Sequence, residues 1–140
     1  MPMPLEYRRP GEEFDAFLRE VMEACNFATR NPAYTTTEAV LLTFRRRLSV
    51  RDGLRFANVL PPVLRALLIK DWNSDEQPVP FATRDELTTE VKQLRQDHNF
   101  SPDSAIADVT RALRRHVDEM KFDAVLQTLP AGAVDFWKVD

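Results

Sequence analysis

The sequence has one cysteine, Cys25, so no disulfide can close within the chain and no cysteine-rich zinc site can be assembled. A reducing, cytoplasmic setting fits that usage. Glycine is scarce too: Gly11, Gly53 and Gly132 stand alone, and none belongs to a loop that turns backbone amides onto a phosphate. That excludes the glycine-loop mode of nucleotide binding. His98 and His116, the only histidines, are 18 positions apart and outside any His-x-x-x-His or Glu-x-x-His spacing, so no metal site is expected. No apolar run approaches membrane-spanning length, and Met1–Gly11 carries three prolines and charges where a signal peptide needs an apolar stretch. Residues 1–12 are therefore expected to form an unstructured leader. A dominant charge is also missing: the formal net charge is −3, with basic and acidic residues interspersed. No overall field draws the chain to nucleic acid or to an anionic membrane, and no motif calls for a cofactor.

What is present suits one globular domain, residues 13–140. The chain has 140 residues, 44% of them hydrophobic and 29% charged, enough to bury roughly two-thirds of its unfolded surface in a single core.

The apolar residues repeat with helical spacing. Phe14, Phe17, Leu18, Val21, Met22 and Cys25 form one stripe from Glu13 onward, and Asn31 and Pro32 interrupt it. Thr35 and Glu38 read as a capping box that opens a second helix, with Val40, Leu41, Phe44 and Leu48 on its buried face. Ser49 caps a third helix, with Asp52 near its positive end and Leu54, Ala57 and Leu60 as its stripe. Pro61 then breaks the chain before Val63, Leu64, Leu67 and Leu68. Residues 73–80, polar and carrying two prolines, read as a linker. Thr83 and Glu86 form another capping box, ahead of Leu87, Val91 and Leu94. Ser101 is expected to cap the next helix, with Pro102 in its first turn and Ile106, Val109, Leu113 and Val117 on one face. Asp118 caps a helix that turns Phe122, Val125, Leu126 and Leu129 inward, and Pro130 ends it. Nothing reads as a strand.

The pattern starts over after the linker. An offset of 69 positions pairs Leu60-Pro61 with Leu129-Pro130, Leu18 with Leu87, Val40 with Val109, Arg45-Arg46 with Arg114-Arg115, and the capping Ser49 with the capping Asp118. The expected fold is an all-α, compact orthogonal bundle of about six to eight helices, built from two related halves, residues 13–72 and 81–140.

The run Leu60-Pro61-Pro62-Val63-Leu64-Arg65-Ala66-Leu67-Leu68, then Trp72, Phe81, Leu129-Pro130 and Phe136-Trp137, resembles the bacterial domain-of-unknown-function 2267 family. The likeness runs from about Phe14 to Trp137. It implies an all-helical bacterial domain with no assigned activity, and it supplies no catalytic residue. Asn31–Tyr34 departs from the family pattern as an insertion-like piece.

Few residues offer chemistry. Cys25 lies on an apolar stripe, where burial disfavours the thiolate, and it reads as core unless His116 approaches it. Glu12-Glu13 and Asp85-Glu86 read as helix-start carboxylates rather than an acid–base pair. His98 reads as loop surface, His116 as a partly packed group at a helix end, and Trp72 and Trp137 as the edge of the core. The most suggestive feature is the recurring basic set, Arg45, Arg46, Arg47 and Arg114, Arg115, His116. It is expected at helix C-termini on electrostatic grounds alone, and it also offers a candidate surface for an anion or a partner. The leading expectation is a non-enzymatic interaction or regulatory module; the alternative is a small-anion-binding protein or enzyme that uses these clusters.

Overall fold

The computed structural model describes residues 2–94 and 101–139, so His98 lies outside the described residues. Among the described residues, eight α-helices follow a short 3-10 turn, Leu5–Tyr7: α1 Pro10–Ala24, α2 Arg30–Arg45, α3 Val50–Ala57, α4 Pro62–Ile69, α5 Arg84–Gln93, α6 Ala105–Arg114, α7 Glu119–Leu126 and α8 Ala133–Phe136. No strand occurs among the described residues.

Three helices start at the caps read from sequence. The side chains of Ser49, Thr83 and Asp118 accept from the amides of Asp52, Glu86 and Lys121 at 3.1, 3.2 and 3.3 Å, so each satisfies a first-turn donor that has no partner inside the helix. Proline opens α4 at Pro62, where its missing amide costs nothing.

Elsewhere the boundaries differ from expectation. The first helix begins at Pro10, and the segment ahead of it is tied down: Arg65 donates to Tyr7 Oη at 3.1 Å and to Glu6 at 3.4 Å. Helix α1 also ends earlier than Asn31. Asn26 takes a left-handed φ of 59°, and the amides of Asn26 and Phe27 reach back to the carbonyls of Glu23 and Met22. This paired closure by an asparagine is a regular helix stop. Asn31 and Pro32 then fall in the first turn of α2, where proline is tolerated, and Thr35 is interior and donates to Asn31 O at 3.1 Å. Ser101 is not the N-cap of α6, which is Ser104. Ser101 is buried, its hydroxyl hydrogen-bonded to that of Thr36 at 2.9 Å, and α6 begins only at Ala105. A buried hydroxyl pair between distant segments has displaced the local cap.

Helix α2 is the hub of the packing, lying against α1, α4, α5 and α6; α3 packs on α4 and α7. The centre is aromatic. Phe44 has the rings of Phe56, Phe136 and Trp137 at 4.7, 5.0 and 5.3 Å, and Phe122 joins through Phe56 at 5.7 Å. Trp137 is fully buried in this cluster rather than at its edge. Such offset and edge-on ring pairs add roughly 0.5–1.5 kcal/mol each beyond burial.

Helix α3 corrects another reading. Its inward face is Gly53, Phe56 and Ala57, while Leu54 is 54% exposed. Gly53 is required by close approach, because a Cβ there would lie 2.0 Å from the Trp72 ring. Trp72, half-buried, is the tryptophan that does sit at the core edge.

Candidate functional site

Helix α2 ends in Arg45 and continues into Arg46 and Arg47. Arg45 is directed back along the surface, donating to the carbonyls of Leu68 and Lys70, both at 2.9 Å, with its guanidinium 5.3 Å over the Trp72 ring. Those carbonyls close α4, so a cation there meets the negative end of a helix dipole. Arg47 is buried: it donates to Thr43 O at 2.8 Å and Pro80 O at 3.3 Å, and it pairs with Glu90 of α5. Arg46, more exposed, pairs with the same carboxylate. Burial lowers the Arg45 and Arg47 pKa values from the ordinary arginine range, and the neighbouring charge of Arg46 adds to the effect on Arg47. Arginine nonetheless remains a cation at any physiological pH.

Helix α6 ends in the same manner. Arg114 donates to Trp137 O from Nε at 2.9 Å and lies 5.1 Å over the Phe122 ring. It also holds Glu119 at 3.2 Å and Asp123 at 2.9 Å. Burial pulls its pKa down, but the hydrogen bonds and charges of Asp123 and Glu119 outweigh that and leave it raised. Arg115 reaches Glu20 of α1 at 3.9 Å, and His116 Nε2 meets the same carboxylate at 3.1 Å. The other ring nitrogen, Nδ1, faces Glu13 at 3.8 Å.

The six basic residues are therefore mostly committed to internal ties. Arg45, Arg47 and Arg114 are not the solvated charges expected of a cluster at a helix end, because the carbonyls ending α4 and α8, and carboxylates on neighbouring helices, lie within their reach. The two sets also open onto different hollows. Arg46 and Arg47 line a wide groove with Val79, Phe81, Thr83 and Glu86. His116 lines a cavity of about 200 Å³ with Glu6, Glu13, Asn58, Asp118 and Lys121.

Cys25 and His116 do not form a pair. The thiol donates to Asp108 Oδ2 at 3.4 Å, and Ser104 donates to the same oxygen at 2.6 Å. Burial first, then the Asp108 charge and that hydrogen bond, push the thiol up to about 12, which leaves it a poor nucleophile at neutral pH. Sequence reasoning missed Asp108, Ser104 and the two carboxylates that receive the basic runs, Glu20 and Glu90. Only Glu90 carried any signal, as a charge at a position whose offset partner is the fully buried Val21.

Among the described residues no helix is long and apolar enough to cross a membrane, and no three His, Cys, Asp or Glu side chains converge as metal ligands do. Fold and side-chain chemistry together define the class: an all-helical domain whose ionisable groups chiefly hold helix ends. A family model described as an uncharacterized conserved protein, DUF2267, matches residues 14–136, and the chain belongs to that family. Comparison with curated proteins gave no match.

Proposed function

We propose that this protein is a non-enzymatic helical interaction module of the bacterial cytoplasm. The observation that carries the reading is where apolar side chains are left in water. Val50 and Leu54 on α3 are 37% and 54% exposed, and Met120 on the adjoining α7 is 85% exposed. Val50 and Leu54 are one helical turn apart on one face, with Trp72 resting on Gly53 beside them. Exposed apolar groups on paired helices suit contact with another protein. By contrast, the groups with reactive potential are engaged internally. The test is capture from the native host's lysate on immobilised wild-type chain and on Leu54→Asp/Met120→Asp. A partner held by the first and lost by the second supports the reading; recovery of nothing reproducible at any growth stage, or equal recovery on both, overturns it.

The anion-binding alternative rests on Arg46 and Arg47, which line an open groove. Glu90 pairs with both guanidiniums, so an anion would have to compete with it for them. An unchanged melting temperature in millimolar phosphate or citrate removes this alternative.

We further infer that the chain is a duplicated four-helix unit folded about a pseudo-twofold axis. An offset of 69 carries α3 onto α7 end for end, and the ends of α1 and α2 onto those of α5 and α6. It carries the bond from Arg45 to Leu68 O onto that from Arg114 to Trp137 O. The α1–α6 contact is matched by the α5–α2 contact, and α2 meets α6 as α3 meets α7. Reciprocal contacts of this kind are what a twofold relation requires.

A further inference from the structure

At the end of α2 one carboxylate, Glu90, is shared by two guanidiniums, which keep their charge at every physiological pH. At the end of α6 one carboxylate, Glu20, is likewise shared, but the residue that stands where Arg47 stands is His116. A permanent cation at the end of α2 has a titratable counterpart at the end of α6.

The surroundings of His116 distinguish its two protonation states. Glu13 and Glu20 lie on one face of α1, two turns apart, with Phe17 between them meeting the imidazole edge-on at 5.9 Å. The His116 side chain is only 14% exposed, with Nε2 toward one carboxylate and Nδ1 toward the other. A neutral imidazole has a single N–H, so it donates to one carboxylate and turns a lone pair toward the other; the imidazolium donates from both nitrogens. The carbonyl end of α6 also favours a cation at this position. The remaining charged neighbours among the described residues are Arg115 on the same turn, the capping Asp118, Lys121 of α7, and Glu6 of the N-terminal turn; α4 and the step before it present only the uncharged Pro61, Val63 and Leu64.

We propose that His116 is a proton-dependent clamp: its imidazolium locks the first half of α1 to the end of α6, and loss of the proton frees that half of α1. The ring that donates from both nitrogens is the form that holds both carboxylates, so the clamp is tightest at low pH and weakens as the pH rises. Phe14 and Phe17 of the segment freed at high pH face Val63 and Leu64 across an apolar seam, so release exposes hydrophobic surface. This goes beyond the interaction reading, which neither requires nor predicts a pH response.

The test is amide hydrogen exchange on the full chain at about pH 5.5 and about pH 8, corrected for intrinsic exchange and read as α1 relative to α2. Between these two values an ordinary histidine passes from mostly charged to mostly neutral. In the wild type, α1 exchanges faster at the higher pH, by a factor on the order of five. His116→Arg, which copies Arg47, stays slow at both values; His116→Gln is fast at both; His98→Gln behaves as the wild type. Equal relative protection of α1 in the wild type at both values overturns the proposal, and so does a pH response that survives in His116→Arg. Should His116→Gln not fold, the wild type and His116→Arg still decide the matter.

Discussion

The ends of α2 and α6 carry equivalent basic runs and make the same first move: an arginine reaches a backbone carbonyl 23 residues further on, Leu68 O in one case and Trp137 O in the other. Their surroundings then diverge. Arg45 leans on an indole and two carbonyls, whereas Arg114 adds two exposed carboxylates, Glu119 and Asp123. The next two residues diverge further, because a buried arginine at position 47 is replaced by a partly buried histidine at position 116. The carbonyl tie serves the fold and is common to both ends. What differs is the permanence of the charge that holds the neighbouring helix.

The comparison is broken most severely at Glu90. Glu90→Gln leaves the buried Arg47 without its counter-charge, and chemical denaturation should show a loss of about 3 kcal/mol. Glu20→Gln, on a more exposed carboxylate, should cost far less. The carbonyl ties come next. Arg45→Met and Arg114→Met each remove two charged hydrogen bonds to backbone and should each cost about 2 kcal/mol. The two carboxylates around Arg114 are exposed, so they should add less than about 1 kcal/mol and only at low salt. A large salt-independent gap between the two variants contradicts this equivalence. Ser49→Ala and Asp118→Ala remove matching caps and should lower stability by about 1 kcal/mol each.

The smallest effect sharpens the contrast at position 116. Glu20→Gln should cost up to about 1 kcal/mol near pH 5.5 and less near pH 8. The sign follows from the proton: a contact that the protonated ring completes stabilises the fold at low pH and fades as the proton leaves. A Glu20→Gln deficit that is the same at both pH values would show that Arg115 alone makes the contact.

Much of the fold was legible in the residues. Ser49, Thr83 and Asp118 start helices because their side chains satisfy first-turn amides without help from elsewhere. The stripes through Val40, Phe44, Val109 and Leu113 are buried as helical spacing predicts. Boundaries failed where another stop or a distant partner intervened: α1 stopped on Asn26 ahead of the proline, α2 opened at Arg30 and left Thr35 interior, and Ser101 found Thr36. The basic runs were legible as candidate residues, but their partners were not. Glu20 is 96 positions from His116 and Glu90 is 43 from Arg47, on helices whose polar faces look like any other solvated surface.

By itself the sequence determined the helices, the paired Leu-Pro breaks and the membership of an all-helical family, because local hydrogen bonding and apolar periodicity act over a few residues. Only the tertiary structure decided that Trp137 is central, that Leu54 faces water, that Cys25 is held by Asp108, and that His116 lies between two carboxylates. Those outcomes depend on which helix faces are pressed together, and that is settled by burying the whole apolar surface at once rather than by any one segment.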